Sequence, residues 1–180
     1  NLRCGFCSVQ NRNGDELDIV DIIGAITELR MLGLRTVELT GGGDPAMYEG
    51  ISALINFIYK QGLKIGFITN GIRLSEITNL DMLSWLRISM NSLDIVDDID
   101  IPSLPPHVTL GFSYVVNEKM TQETLTKIFA KMGAHNVEYL RVVPNCLSEK
   151  TIKESHQAVA GLLDNPKIFY QQKSRRKPHH

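Results

Sequence analysis

Ile19, Ile22, Ile23, Ile26 and Leu29 recur at intervals of three and four residues, the spacing of one face of an α-helix. The pattern predicts a helix over 18–32, and Gly33 stops it. Thr36-Val37-Glu38-Leu39 reads as a short strand that runs into Thr40-Gly41-Gly42-Gly43-Asp44-Pro45. Ile51, Leu54, Ile55 and Ile58 mark a second helix ended by Gly62, and 64–69 is a second strand closed by Asn70-Gly71. A short helix is expected next, before a third strand over 86–90; a fourth covers 108–116. Between them 97–106 is a Pro-rich loop. Leu125, Ile128, Phe129 and Met132 predict a helix stopped by Gly133, and 137–143 a fifth strand. A last helix is expected over 152–163, broken by Asn165-Pro166.

Strand–helix alternation at this spacing means an α/β fold of parallel strands joined by right-handed helical crossovers. In such folds the chemistry collects at the carboxyl ends of the strands. Those ends are 40–44, 69–71, 89–92, Asn117-Glu118 and Pro144-Asn145, all small or polar, and all would line one rim. Asn1-Leu2-Arg3-Cys4-Gly5-Phe6-Cys7 precedes the first helix, where an upstream strand would end, and so belongs to the same rim.

With 180 residues, 43% of them hydrophobic, the chain can bury one real core. A net charge of −1 and 22% charged residues exclude a disordered chain and give no clear nucleic-acid signal. No apolar run is long enough to cross a membrane and no signal peptide is present, so the expected location is the cytoplasm. The chain starts at Asn and ends on Lys177-Pro178-His179-His180, which reads as a piece of a longer protein: a core over 1–165 and a polar, basic linker or tail over 166–180. Three cysteines are too few for a disulfide framework and point to metal or redox chemistry in a reducing compartment.

Cys4-Gly5-Phe6-Cys7 has three readings. It is half of a zinc site, a thioredoxin-like dithiol, or the tail of a longer cysteine loop that holds an iron–sulfur cluster. A zinc site needs two more ligands at suitable spacing, and only Cys146 and scattered histidines are on offer. The dithiol belongs to a mixed sheet, whereas this chain reads as parallel throughout. Ser89 and Asn91 alternate with Ile88 and Met90 and are expected to share one strand face. Arg141 sits on the fifth strand between Leu140 and Val142; facing inward it needs a partner, facing outward it is solvated. Thr69-Asn70-Gly71 is read as a turn first. Cys146 is read as a small buried hydrophobe, and the basic run 173–177 as a solvated tail.

These residues resemble the radical SAM enzymes, from Asn1 to about Asn145. Asn1 to Cys7 resembles that family's C-x-x-x-C-x-Φ-C loop, with Phe6 at the aromatic position and the first cysteine falling just before Asn1. Thr40 to Pro45 is similar to the Gly-Gly-Glu motif at the end of the second strand, with Asp44 in place of Glu. Leu86 to Ser92 resembles the fourth-strand segment. Gly111 to Glu118 matches the outer residues of the Gly-x-Ile-x-Gly-x-x-Glu pattern, with Val115 at its central Gly.

The resemblance implies a partial (β/α)6 TIM-like barrel, five strands here and one upstream. It implies that Cys4 and Cys7 ligate a [4Fe–4S] cluster whose open iron binds S-adenosylmethionine. Phe6 would lie against adenine. Gly41, Gly42 and Gly43 would offer backbone groups to the methionyl ammonium, with Asp44 as countercharge. Ser89 and Asn91 would meet the ribose or carboxylate, and Arg141 the carboxylate. The implied activity is reductive cleavage of S-adenosylmethionine to a 5′-deoxyadenosyl radical that abstracts a substrate hydrogen, the electron coming from a donor such as flavodoxin or ferredoxin. The substrate, whether peptide, nucleotide or small molecule, is not specified by these motifs. Lacking one thiolate, the chain as written is expected to be inactive by itself.

Overall fold

Asp18 opens α1 (Ile19–Met31) by accepting the Val20 N–H at 2.7 Å. Gly33, at φ +99°, closes it, and the Leu34 N–H returns to the Leu29 carbonyl at 3.0 Å. β1 (Thr36–Leu39), α2 (Ile51–Lys60) and β2 (Lys64–Thr69) follow at the places the hydrophobic pattern marks. β3 (Trp85–Ser89), β4 (Thr109–Val116), α3 (Gln122–Ala134) and β5 (Val137–Pro144) complete the expected series, each bound within one or two residues for the strands. This computed structural model describes residues 2–7, 9, 11, 13–145, 147, 157 and 159–171. Cys146, the basic run 173–177 and most of the helix expected over 152–163 lie outside the described residues; the end of that stretch is a 3₁₀ turn, Ala160–Leu162.

Three features differ from expectation. The link from β2 to β3 carries two 3₁₀ turns, Leu74–Glu76 and Leu80–Met82, instead of a short helix. β3 ends at Ser89, where a 3₁₀ helix, Met90–Asp94, begins. A sixth strand, β6 (Ile168–Tyr170), pairs with β5 within the stretch read as a polar tail. Three residues carry too little alternation to announce a strand. Their pairing with β5 supplies it instead.

The six strands among the described residues are all parallel, in the order β1-β2-β3-β4-β5-β6. No reversal interrupts that order, so the sheet curls one way as a partial (β/α) barrel and lacks the switch point of a doubly wound sheet. One face carries Ile65, Phe67, Leu86, Ile88, Leu110, Phe112, Leu140 and Val142, all buried in a single core with Leu54, Ile55 and Ile58 of α2 and Leu125 and Ile128 of α3. Each such side chain contributes about 1.5–3 kcal/mol on leaving water.

The inner face carries the alternate residues. The register sets Glu38 beside Gly66 and Gly66 beside Trp85; Arg87 beside Gly111 and Gly111 beside Tyr139; and Ser89, Ser113, Arg141 and Phe169 in one row. Gly66 and Gly111 are fixed by packing. A β-carbon at Gly66 would stand 2.1 Å from Trp85 Cζ2, and one at Gly111 would stand 2.3 Å from Tyr139 Cζ. The two rings therefore lie flat on the sheet over bare backbone.

Candidate functional site

The Cys7 N–H donates to the Cys4 carbonyl at 3.0 Å, closing a tight turn with Gly5 and Phe6 at its centre. Both thiols and the Phe6 ring are half-buried, and neither cysteine is in a disulfide. Among the described residues no group of three or more His, Cys, Asp or Glu gathers as a metal site, so any metal on this turn takes its other ligands from elsewhere.

The glycine turn after β1 is open. Gly41 and Gly42 are exposed and do not have positive φ. A β-carbon on Gly42 would meet nothing within 4 Å, and one on Gly41 only the Gly43 backbone at 3.7 Å. Neither backbone strain nor a crowded neighbour asks for glycine here. What the missing side chains leave is accessible main chain, the condition for close approach by a small polar ligand.

Asp44 ends this turn and ties it to the next strand. Its carboxylate accepts the Ala46 N–H at 2.9 Å, capping the 3₁₀ turn Pro45–Met47. It also accepts the Thr69 hydroxyl, at 2.8 and 3.0 Å to its two oxygens, and the Asn70 N–H. Thr69-Asn70-Gly71 is thus a turn that doubles as a brace. Thr69 Oγ1 accepts the Gly71 N–H at 3.1 Å, and Gly71, at φ +82°, leaves no room for a β-carbon, which would stand 2.9 Å from Ile88 Cγ2. A cavity of about 230 Å³ is lined by Leu2, Asp44, Met47, Asn70, Ile72 and Arg73. It joins the cysteine loop to the carboxyl ends of β1 and β2. A neighbouring cavity of about 340 Å³, between 46–52 and Arg73–Ile77, is larger but touches neither the cysteine loop nor a strand end. Arg73 borders both cavities and forks onto Glu76, with its Nε donating at 2.7 Å; this pairing holds the Glu76 carboxyl below the usual range.

Ser89 and Asn91 part company. Ser89 stays on the inner face, half-buried. Asn91 has left the strand and is 1% exposed in the 3₁₀ helix, so the expected shared face does not form. Alternation holds only while the backbone is extended, and β3 ends at Ser89, two residues before Asn91. The Asn91 amide pairs with the backbone of Val115: its Oδ1 accepts the Val115 N–H at 2.7 Å and its Nδ2 donates to the Val115 carbonyl at 2.8 Å. This bond uses main chain only, which explains how Val can stand where the related pattern has Gly. Asp94 gathers the Tyr114 hydroxyl at 2.8 Å, Asn91 Nδ2 at 3.0 Å and Asn117 Nδ2 at 2.9 Å. Burial first, and the Asp94 carboxylate second, push the Tyr114 phenol up, so it stays a neutral donor.

Arg141 is on the inner face, half-buried, with a buried Nε that has no hydrogen-bond partner among the described residues. Arg87, which the sequence alone did not single out, lies on the same face with its guanidinium 5.5 Å from the centre of the Trp85 ring. Burial and then the like charge of Arg87 lower the Arg141 pKa, while Tyr139 and Glu38 pull the other way. The signal for Arg87 was its strand parity with Ser89; the pairing with Arg141 is a property of the sheet.

The sequence profile of the radical SAM superfamily matches residues 1–99, more than half of the chain and the whole stretch from the cysteine turn past the end of the Met90–Asp94 helix. The chain belongs to the radical SAM superfamily. It is therefore an enzyme, of a family that uses S-adenosylmethionine with an iron–sulfur centre. A stretch of 71 residues is 30% identical to an S-adenosylmethionine-dependent nucleotide dehydratase of Selenomonas ruminantium, covering 39% of this chain and 26% of that protein. The radical SAM fold is shared with Streptococcus suis SuiB. Its crystal structure bound to S-adenosylmethionine matches 97% of this chain and 48% of SuiB, with a TM-score of 0.62 at 12% identity. SuiB bound to its precursor peptide SuiA matches with a TM-score of 0.58. The radical SAM core described here thus spans about a quarter of the first relative and about half of the second. No helix among its described residues is long and apolar enough to cross a membrane.

Proposed function

We propose that this radical SAM core reductively cleaves S-adenosylmethionine at a [4Fe–4S] cluster and directs the resulting radical to a hydrogen of its substrate. The supporting observation is the single cavity shared by Leu2 of the cysteine loop, Asp44 after the glycine turn and Asn70 after β2. The donor set fits: two half-buried thiols on one turn suit iron–sulfur ligation, and an exposed glycine backbone beside them suits a zwitterionic amino acid. Family membership favours this over the dithiol and zinc readings of the same pair.

When bound, the cluster would supply the electron for reductive cleavage of the sulfonium bond. The chain's own residues hold the reactants. Cys4 and Cys7 ligate iron. Phe6 offers an apolar ring to adenine. The Gly41–Gly43 backbone would receive the methionyl ammonium, with the Asp44 carboxylate, held in place by Thr69 and Asn70, as its countercharge. Ser89 presents its hydroxyl to the ribose from the inner face. Asn91 is a positioning residue, acting through Val115 and Asp94. An external flavodoxin- or ferredoxin-like protein supplies the electron. A nucleotide is the first substrate class to try, because a relative acts on one by name.

Anaerobic reconstitution of the full-length protein with iron and sulfide tests the reading. The expected result is a [4Fe–4S]⁺ EPR signal that shifts on adding S-adenosylmethionine, and loss of iron in Cys4→Ala and Cys7→Ala. Retained iron and cofactor cleavage in those variants, or a redox-active disulfide in place of the cluster, would overturn it.

A further inference from the structure

The inner face of the sheet holds two guanidinium groups, with Glu38 as the acid of that face that acts on Arg141. Arg87 and Arg141 are both half-buried, and neither makes an ion pair among the described residues. Arg141 Nε is buried and has no hydrogen-bond partner among the described residues, a costly state for a charged fork. The register sets both on neighbouring rungs: Arg87 pairs with Gly111, and Arg141 pairs with Ser113 two residues further along β4. Arg141 lies on the rung of Ser89, at the carboxyl end of β3 and so on the side of the cavity that would hold the cofactor.

The floor around them is built. Trp85 lies over Gly66 and Tyr139 over Gly111, at distances that admit no β-carbon. Phe169 of β6 adds a third ring, its centre 5.6 Å from that of Tyr139. Flat apolar surface beside two unpaired forks is the chemistry of a ligand with an oxyanion and a planar or apolar body. Glu38, on the same face, is close enough to pull the Arg141 pKa upward, yet it forms an ion pair with neither guanidinium among the described residues.

We infer that Arg87 and Arg141 form an oxyanion subsite for the substrate, receiving a phosphate or carboxylate group while Trp85 and Tyr139 support the rest of the molecule. The inference rests on the proposed radical SAM chemistry for the meaning of "substrate", and it moves Arg141 from the cofactor carboxylate to the substrate.

Trp85 is the single tryptophan of this chain and sits against Arg87, so its fluorescence reports the site directly. The full-length protein is titrated with tripolyphosphate as the phosphate probe and tricarballylate as the carboxylate probe, with Trp85→Phe identifying the signal. Saturable quenching by one probe is expected, and which probe acts assigns phosphate or carboxylate; quenching by both supports the subsite as well. Arg87→Gln and Arg141→Gln are each expected to weaken binding by about ten-fold or more, and Arg141→Lys, which keeps the charge but not the fork, by less. No saturable change with either probe, or unchanged affinity in both glutamine variants, would overturn the proposal. So would competition of S-adenosylmethionine with the probe together with loss of its EPR effect in Arg87→Gln, which would return the pair to the cofactor. The EPR shift on the same preparation keeps the two readings apart. Its absence with intact quenching counts against the radical chemistry, whereas its presence without quenching counts against the subsite.

Discussion

Three donors converge on Asp44, and that convergence gives the residue two duties. Its charge stands at the rim, while its oxygens hold Ala46, Thr69 and Asn70 in place. Asp44→Ala is expected to destabilise the protein by about 1–3 kcal/mol, because the Thr69 hydroxyl and the Asn70 N–H lose their acceptor in a half-buried setting. Thermal unfolding checks this. Asp44→Asn keeps one acceptor oxygen and should cost less, yet it removes the charge, so it should weaken S-adenosylmethionine binding at near-normal stability. Equal stability and equal cofactor affinity in both variants would remove Asp44 from the site. Asn91 shows the limit of reading a residue from its type. An asparagine near a strand end suits a ligand, but this one is folded under β4 with both ends of its amide engaged.

At the scale of elements, the inner face depends on pairs that no single strand announces. Gly66 and Gly111 look like weak points in otherwise good strands, since glycine brings entropy cost and no packing. Cross-strand neighbours explain them: each leaves the space that a ring from the adjacent strand fills. Gly66→Ala should cost about 1–3 kcal/mol by overpacking. It should cost much less in a Trp85→Ala background, where the obstructing ring is gone. A double-mutant cycle measured by denaturant unfolding would show this as a coupling energy, and additive effects would mean that the ring is not held against Gly66. β6 is the converse case, a strand created by its neighbour. Its three residues pair with Leu140, Arg141 and Val142 and bring Phe169 to the aromatic floor.

Across the whole molecule, one rule places the chemistry. Parallel strands in sequential order bring their carboxyl ends to one rim, and the loops after β1 and β2 meet the cysteine loop there. In the reconstituted protein, S-adenosylmethionine should therefore slow amide hydrogen exchange at 41–44 and 69–71 and leave α3, across the sheet, unchanged. Protection on α3 with none at the rim would place the cofactor elsewhere. The same architecture separates the two halves of the proposed reaction, with cofactor at the rim and the substrate's oxyanion on the inner face between β3 and β5.

The sequence by itself determined the elements and their order. Helical spacing in 19–29, 51–58 and 125–132 and apolar runs in the strands reflect burial against one core, and burial is written locally as periodicity. It also determined the rim, since parallel order follows from strand–helix alternation, and the motif spacing that marks the family. Only the tertiary structure decided where β3 stops, that β6 exists, that Asp44 braces Thr69 and Asn70, and that Arg87 faces the same side as Arg141. Each of these depends on register between segments distant in the chain. Register is fixed by hydrogen bonds and ring packing across strands, and no local pattern in one segment encodes the identity of its neighbour in the next.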